Sequence, residues 1–380
     1  MHKFFDPSAI TSYPLKERYS KVDIVSACVS PENDTAVPPA LEEKAGKIAE
    51  EILTARSRGA SVICAFGAHA IKNGLGRLLG EMLSRRWFTH LAANGAAVIH
   101  DWEFSFLGKS SEDVRENAAR GRFGTWEETG LYINLALAAG AYEGLGYGAS
   151  VGAMIQRQGL AIPGRQELLD TVKQSIAEED LPGKTSAAKP PQNMRKAAAA
   201  LDLYELLEAE KIPPGFLSIP HPWAAYSVLA AAERAGLPFT CHPMFGHDII
   251  YTHRANRGAA IGRSAERDFL EFVSSVAGLE GGVYISAGSA VMSPMIFEKA
   301  LSMARNAAGG KGITGCDIHV VDLQESNWDW SRGEPPMDNP AYYLRFMKTF
   351  NRMGMRTDYT CVDNRVFFIA LYRALQKRSA

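Results

Sequence analysis

The sequence lacks the features of several protein classes. No apolar run approaches the roughly 18 residues of a membrane-spanning helix. The first residues, MHKFFDPSAITSYP, show no apolar segment followed by a small-residue cleavage site, so no secretory signal is expected. Lys and Arg number 41 against 42 Asp and Glu, a net charge of −1, whereas a constitutive nucleic-acid partner favours a basic excess. We therefore expect a soluble cytoplasmic protein that binds a small molecule, with no nucleic-acid or membrane partner.

Cysteine is scarce, and its spacing excludes the common cysteine motifs. The five cysteines are odd in number and never form CxxC: Cys28, Cys64, Cys241, Cys316 and Cys361. This pattern predicts reduced thiols, most of them buried in strands, rather than a disulfide framework. Two phosphate-binding signatures are missing as well. No GxGxxG occurs at a strand end, and the GKT at 183–185 lacks the preceding glycine of a P-loop.

The sequence does contain short apolar segments that alternate with amphipathic ones. We divide it into an N-terminal extension, 1–40, and a domain, 41–380, with a loop or insertion near 181–194. The segments typical of buried strands are 61–66, 89–95, 215–220, 237–243, 281–288, 316–325 and 358–364. At least six strands alternating with helices predict an α/β fold, a Rossmann-like doubly wound parallel sheet with helices on both faces.

Polar residues and glycines cluster directly after these strands. Ligands of such a sheet bind beyond the carboxyl ends of the strands, where the strand order reverses. Glycines at these positions let backbone N–H groups approach a dinucleotide phosphate, although tight turns need glycine equally. The candidate cofactor-binding residues are Gly67, His69, Asn73, Gly74, Asn94, Gly95, Gly288, Ser289, Asp322 and Asp363.

The densest polar segment is CHPMFGHDIIYTHR, 241–254, with three imidazoles and a carboxylate. In one interpretation these groups handle protons, and the candidate catalytic residues are His253, Asp248, His247 and His100. In the other they hold a divalent metal, and the candidate ligands are His242, His247, Asp248 and Asp101. The spacing of the three histidines matches no standard metal motif, however. At least one of them is expected to serve only core hydrogen bonds.

A second polar segment, 325–346, follows a predicted strand and mixes aromatic rings with carboxylates. Such a mixture suits a polyamine or another organic cation through cation–π and ion-pair contacts. The candidate substrate-binding residues are Glu325, Trp328 and Asp329. An ordinary loop with an aromatic anchor fits the same residues.

Several of these segments resemble deoxyhypusine synthase, a family of NAD-dependent aminobutyl transferases. HDIIYTH is similar to the family's D-M-I-F-F-H, which places Asp248 and His253 on a functional Asp and His. GAHAIKNGLGR is similar to the family's S-N-x-I-x-x-G, with His69 in place of Asn. The other similar segments are ANGAAVIHD (93–101), GGVYISAGSAV (281–291) and DLQESNWDW (322–330). The resemblance implies a Rossmann-like sheet, NAD as cofactor, and a homotetramer with sites at dimer interfaces.

The chain departs from the family at two positions. Where the family has its imine-forming lysine in a W-G-K turn, this sequence reads YYLRFMK, with Arg345 near the expected place and Lys348 displaced by three residues. An arginine stays protonated and forms no Schiff base at neutral pH. The family's acidic pair after the Gly-rich turn is replaced by Ile99 and His100.

The sequence therefore predicts a deoxyhypusine synthase-like enzyme with NAD-dependent transfer or cleavage chemistry at a C–N bond of a polyamine or related amine. Hydride removal would give an imine, which an amine acceptor or water attacks. Two alternatives stay open. One is a metal-dependent C–N hydrolase on the same fold, and the other is a non-catalytic nucleotide-binding protein.

Overall fold

The computed structural model describes residues 3–32, 35–179 and 192–379. Of the loop predicted near 181–194, residues 181–191 lie outside this part of the chain, and 192–194 begin a helix. The described strands are β1 (Ser20–Asp23), β2 (Val62–Phe66), β3 (His90–Ala93), β4 (Lys109–Glu112), β5 (Gly159–Ile162), β6 (Gly215–Ser218), β7 (Phe239–Cys241), β8 (Val283–Ala287), β9 (Asp317–Asp322) and β10 (Arg356–Cys361). The described helices are α1 (Ile24–Ala27), α2 (Pro39–Ser57), α3 (Ala68–Lys72), α4 (Gly76–Ser84), α5 (Gly95–Leu107), α6 (Val114–Ala119), α7 (Glu127–Glu143), α8 (Tyr147–Arg157), α9 (Arg165–Glu179), α10 (Gln192–Ala209), α11 (Val228–Ala235), α12 (Gly258–Ala277), α13 (Met292–Ala307), α14 (Arg345–Arg352) and α15 (Asn364–Ser379).

Six parallel strands form the central sheet, in the order β10-β9-β8-β2-β3-β7. From β2 the chain moves outward to β3 and then β7. It then returns to β8, on the other side of β2, and moves outward again to β9 and β10. This is the strand order of the Rossmann fold, and the predicted fold class is confirmed.

Both faces of the sheet are buried. Along β2, Val62, Cys64 and Phe66 face one core, which includes residues of α2, α4 and α15. Ile63 and Ala65 face the other core, which includes residues of α12, α13 and α14. Because every side chain of such a strand is buried, its sequence is a continuous apolar run rather than an alternation. This is why the strands of the sheet were visible in the sequence.

One predicted strand lies outside the central sheet. Residues 215–220 contribute β6, which pairs antiparallel with β5 in a separate two-stranded sheet. The side chains of β6 are mostly exposed, and Phe216 is 63% exposed. The segment therefore resembles a core strand in composition but not in burial.

Two helices, α3 and α4, follow β2 with a break between them. Gly74 lies at the break with φ +86°, and a Cβ there would lie 1.9 Å from the carbonyl oxygen of Ala27. The amide of Val29 donates to the Gly74 carbonyl at 3.0 Å. In addition, β1 pairs with β4, and Leu15 is fully buried. Part of the N-terminal extension, from about residue 13 to 29, is thus packed into the body of the fold.

Two composition-based expectations concern cysteine and membranes. All five cysteines are free, and three of them are buried, Cys64, Cys241 and Cys316. Within the described part of the chain, the helices are too short or too polar to cross a bilayer.

Candidate active site at the switch point of the sheet

The strand order reverses between β2 and β8, and a glycine follows each of these strands. The amide of Gly67 donates to the Ala287 carbonyl at 3.2 Å. A Cβ on Gly67 would lie 2.2 Å from the carbonyl oxygen of Gly288. Gly288 itself has φ +56°, in the left-handed region that favours glycine. The two loops are therefore in direct backbone contact where the strand order reverses.

The helices that start at this edge differ in how their first turns are capped. The side chains of Asn94 and Ser289 accept hydrogen bonds from Ala97 and Ser293, in the first turns of α5 and α13. Gly67, the cap of α3, supplies no side-chain acceptor. The loop at the switch point thus offers main chain without a competing side chain, which fits the close approach of a dinucleotide phosphate. The position two after Gly67 is the exposed His69, where the usual fingerprint has glycine.

Four other cofactor candidates have local partners. Asn73 ends α3, and Gly74 faces the N-terminal extension rather than the crevice. The Asp322 carboxylate accepts from the amides of Leu323 and Gln324. Asp363 accepts from the backbone and guanidinium of Arg365 at 2.8 to 3.0 Å. The two aspartates order the ends of β9 and β10, at the same edge of the sheet as Gly288.

Asp248 lies against the start of α5. A Cβ on Gly95 would lie 2.2 Å from Oδ2 of Asp248, so the carboxylate fills the space that the glycine leaves. Asp248 is 9% exposed, and Oδ2 has no hydrogen-bond partner among the described residues. Burial raises the pKa of Asp248 to about 6. A phosphate is therefore disfavoured at Gly95, and any phosphate site belongs to the Gly67 side.

Two tyrosines share this environment with Asp248. The hydroxyls of Tyr147 and Tyr251 are buried and likewise lack a partner within the described chain. Burial raises the pKa of both, and the carboxylate of Asp248 raises it further. We call Asp248, Tyr147 and Tyr251 the Asp248 cluster. An unpaired buried polar group costs roughly 1–3 kcal/mol, so three such groups favour a polar guest such as water or an ammonium, which donates three hydrogen bonds.

His253 is fixed at both ring nitrogens. Nδ1 accepts from the amide of Ala255 at 3.1 Å, so the proton of the neutral ring lies on Nε2, 3.2 Å from the Glu127 carboxylate. The ring is 2% exposed and fills the space beside Gly130. The neutral ring has no free lone pair in this arrangement. A role for His253 in proton transfer stays a prediction, and it requires one of these two contacts to open.

Two of the four residues named as metal ligands, His242 and Asp101, are held by other partners. His242 bonds Thr240 at 2.9 Å, and Thr240 in turn bonds His90 at 2.8 Å. Burial lowers the pKa of both histidines to about 3, so both are neutral. Asp101 accepts from Ser227 and Val228 at the start of α11, and His247 is exposed. In the residues that the structure describes, no three His, Cys, Asp or Glu side chains are arranged to hold a metal.

The predicted substrate-binding segment makes contacts of its own. The Trp328 ring faces the Arg332 guanidinium at 5.3 Å, and its Nε1 donates to the Gly333 carbonyl at 2.9 Å. Glu325 and Asp329 are exposed. The aromatic face predicted for a cationic substrate is thus covered by an arginine of the same segment. Lys348 lies over the Tyr342 ring at 3.5 Å.

A buried network around His100 is not visible in the sequence. Arg18 bonds Glu103 through two parallel contacts of 2.7 Å, and both side chains are 1% exposed. Ser110 donates to Glu103 at 2.5 Å and lies 2.7 Å from Nδ1 of His100. Arg18 and Glu103 are 85 residues apart in sequence, so no local pattern could have paired them. The one feature of the sequence that could have indicated buried charge is the presence of charged residues within otherwise apolar segments.

Comparisons with known proteins give weak structural likeness. No family model and no curated protein matches the chain. Among solved structures it is similar to the complex of AgrE with ornithine and NAD+, at 13% identity and a TM-score of 0.43, over 91% of this chain and 34% of AgrE. It is similar to a candidate LOR/SDH protein of Methanococcus maripaludis, at 12% identity and TM-score 0.41, over 93% and 71% of the two chains. A candidate deoxyhypusine synthase of Entamoeba histolytica matches at 8% identity and TM-score 0.31, over 84% and 76%. The chain spans about a third of the length of AgrE.

Proposed function

We propose that this chain is an enzyme that binds a nicotinamide dinucleotide at the crevice between β2 and β8 and acts on the C–N bond of an amine. The observation that carries the proposal is the reversal of strand order at Gly67 and Gly288. There, two loops contact each other through glycine backbone, without side chains between them. Crevices at such a reversal are where Rossmann sheets bind dinucleotides. Bound NAD+ would supply the hydride acceptor.

The amine is assigned to the Asp248 cluster. An ammonium there would donate to the unpaired Oδ2 of Asp248 and to the hydroxyl oxygens of Tyr147 and Tyr251. The positive charge of the ligand would favour the ionised carboxylate and lower the pKa of Asp248 below its present value of about 6. The sequence resemblance to deoxyhypusine synthase at 247–253 supports a polyamine or related amine. Oxidation of the carbon that bears nitrogen would give an imine, open to attack by water or by an amine acceptor.

Cofactor binding is tested first, by calorimetry with NAD+ and NADH and by thermal unfolding of the full chain. A bound dinucleotide must raise the melting temperature by mass action. The expected result is binding of at least one of the two dinucleotides. The proposal is overturned if neither dinucleotide gives heat or stabilisation at about 100 μM, which is about 100 times a micromolar dissociation constant.

The amine assignment is tested separately with Asp248→Asn, which keeps the shape of the side chain and removes its charge. We expect NAD+ binding to be unchanged, and reduction of NAD+ in the presence of spermidine or a diamine to fall strongly. Glu43→Gln is the control, because Glu43 is exposed on α2 and belongs to none of the candidate sites. Equal effects of the two substitutions would contradict the assignment to Asp248.

The homotetramer implied by the sequence resemblance is also a proposal. The segment 131–160 is rich in Gly and Ala, a composition that suits close packing between subunits, but it is packed within the chain itself. A Cβ on Gly140 would lie 1.9 Å from Oγ of Ser150, and one on Gly148 would lie 1.9 Å from the Phe239 carbonyl oxygen. A tetramer would therefore use other surfaces. Light scattering at micromolar concentration tests it, and a monomeric mass would overturn it.

A further inference from the structure

The orientation of His100 is set by a chain of two hydrogen bonds. Glu103 is ionised, because the ion pair with Arg18 outweighs burial and lowers the pKa of the carboxyl. The single proton of Ser110 is donated to Glu103 at 2.5 Å. The Ser110 oxygen is then an acceptor toward His100, 2.7 Å away, so Nδ1 carries the proton of the neutral ring. The lone pair of His100 is left on Nε2.

Nε2 of His100 is open to a ligand. His100 is partly exposed, and within the described chain no group bonds Nε2. In contrast, His90 and His253 have both ring nitrogens bonded to neighbours in the fold. His242 has Nε2 bonded to Thr240, which also bonds His90. Of these four, His100 is the one whose proton position is fixed while the other nitrogen faces outward. Such an arrangement is that of a histidine held for proton transfer.

Positive charge lies near the His100 ring, where α3 packs against α5. Lys72 and His69, on α3, lie close enough to His100 to lower its pKa, as does Arg18. The charge of Arg18 is neutralised by Glu103. For Lys72, the described residues provide no carboxylate partner. Where α3 packs against α5, the Lys72 ammonium without a carboxylate partner therefore lies near His100, whose Nε2 is unbonded.

We propose that Lys72 and His100 form a binding site for a ligand that carries an anionic oxygen group next to an acidic N–H or O–H, with the anion on Lys72 and the proton donor on Nε2. Lys72 is the last residue of α3, whereas Gly67 precedes its first residue, and the site includes neither Gly288 nor the Asp248 cluster. The proposal does not depend on the proposed function. A carboxylate of a small substrate and a phosphate of a nucleotide share this chemistry.

The proton transfer that the site supports is balanced within the network. The ligand X–H bond breaks, its electron pair stays on X, and the proton moves to Nε2. The imidazolium keeps its Nδ1 proton toward Ser110, whose hydroxyl stays directed at Glu103, so the new charge faces an anion. Burial, Lys72, Arg18 and His69 together hold the pKa of free His100 at about 4, against the opposing effect of Glu103. An anion on Lys72 weakens one of the lowering effects, so the ligand itself strengthens the base.

The site is tested by modification of the full chain with diethyl pyrocarbonate, which acylates unprotonated, accessible imidazole nitrogens. Modified peptides are quantified by mass spectrometry. We expect His100 and the exposed His247 to react, and the buried His90 to be inert. Acetate, inorganic phosphate and NAD+ are added as separate probes. A probe that occupies the site at about ten times its dissociation constant should slow modification of His100 about tenfold and leave His247 unchanged.

The choice among probes identifies the source of the anion. Protection by acetate or phosphate, but not by micromolar NAD+, indicates a small acid. Protection by micromolar NAD+ indicates the phosphate of a nucleotide. Lys72→Met should abolish protection, whereas Lys47→Met, an exposed lysine paired on α2, should not. The proposal is overturned if His100 is inert, if none of the three probes protects it, or if protection survives in Lys72→Met. The results with acetate and phosphate do not depend on whether NAD+ binds at Gly67 and Gly288.

Discussion

The backbones of Gly67 and Gly288 are in contact where the strand order of the central sheet reverses. The ideal Cβ position of Gly67 lies 2.2 Å from the Gly288 carbonyl oxygen, a distance that real Cβ atoms do not reach. Because backbone rather than a flexible side chain stands in the way, a methyl group at 67 must push β2 and β8 apart. The crevice proposed for the dinucleotide and the packing of the sheet thus depend on the same contact.

Gly67→Ala is therefore expected to destabilise the fold and weaken NAD+ binding. Overpacking of this kind costs typically about 1–3 kcal/mol. Gly262→Ala is the matched control, since Gly262 is exposed on α12 with open space at its Cβ position. There, alanine should stabilise by roughly 0.5–1 kcal/mol. Urea unfolding measures both, and equal stability of the two variants would contradict the close contact.

The Arg18–Glu103 pair should be costly to break from one side. Arg18→Met leaves the Glu103 carboxylate buried without its cation, which typically costs about 3–5 kcal/mol. We expect the double variant Arg18→Met/Glu103→Gln to be less destabilised than the sum of the two single variants, since it removes both charges. Arg120→Met, in an exposed i,i+4 pair with Glu116, should cost under about 1 kcal/mol. If the destabilisation of the double variant equals the sum for the two single variants, Arg18 and Glu103 are not energetically coupled.

The sheet was predictable because its signal is local. Each strand that is buried on both faces is an apolar run, and this is visible without knowledge of its neighbours. Residues 215–220 have the same composition but form an exposed strand, since burial is decided by tertiary packing. The break between α3 and α4 is not visible in the sequence for a related reason. Gly74 is needed there because Ala27, 47 positions earlier, occupies its Cβ space.

The candidate site was predictable only in part. Glycines after strands could be placed at one edge of the sheet, because parallel strands end together. The density of histidines in 241–254 did not show which nitrogens are already bonded. His242 is bonded to Thr240, and His253 to Ala255 and Glu127. The partners that orient His100 come from β4 and α5, and the ion pair behind them from a segment far upstream.

Asp268 should make stability fall as pH rises. It is 1% exposed and accepts from the amides of Cys241 and Gly148, and burial raises its pKa from 3.8 to about 8. Between these pH values the unfolded chain has lost the proton that the folded chain keeps, so stability drops by about 1.4 kcal/mol per pH unit. Asp101 and Asp248 add to this only up to about pH 6.

Asp268→Asn keeps an acceptor for both amides and removes the titration. The difference in free energy of unfolding between variant and parent should therefore grow in favour of the variant from pH 6 to 8. Denaturant unfolding at several pH values measures it. Asp170→Asn, whose side chain is 48% exposed, is the control and should show no such trend. A constant difference across this range would mean that Asp268 is ionised in the folded chain.

His253 provides the decisive test of the proton-transfer role expected from the sequence. If it is the general base, His253→Ala should lower turnover by about 10² to 10⁴. Glu127→Gln should then also lower turnover, because the Glu127 carboxylate is the group in contact with Nε2. If His253 only joins the 249–252 segment to α7, Glu127→Gln should leave turnover unchanged, because glutamine still accepts from Nε2. Lys348→Ala, which removes a cation lying over Tyr342, should cost little in either case. Loss of turnover in Lys348→Ala together with an active His253→Ala would reverse the assignment and restore a lysine to the chemistry.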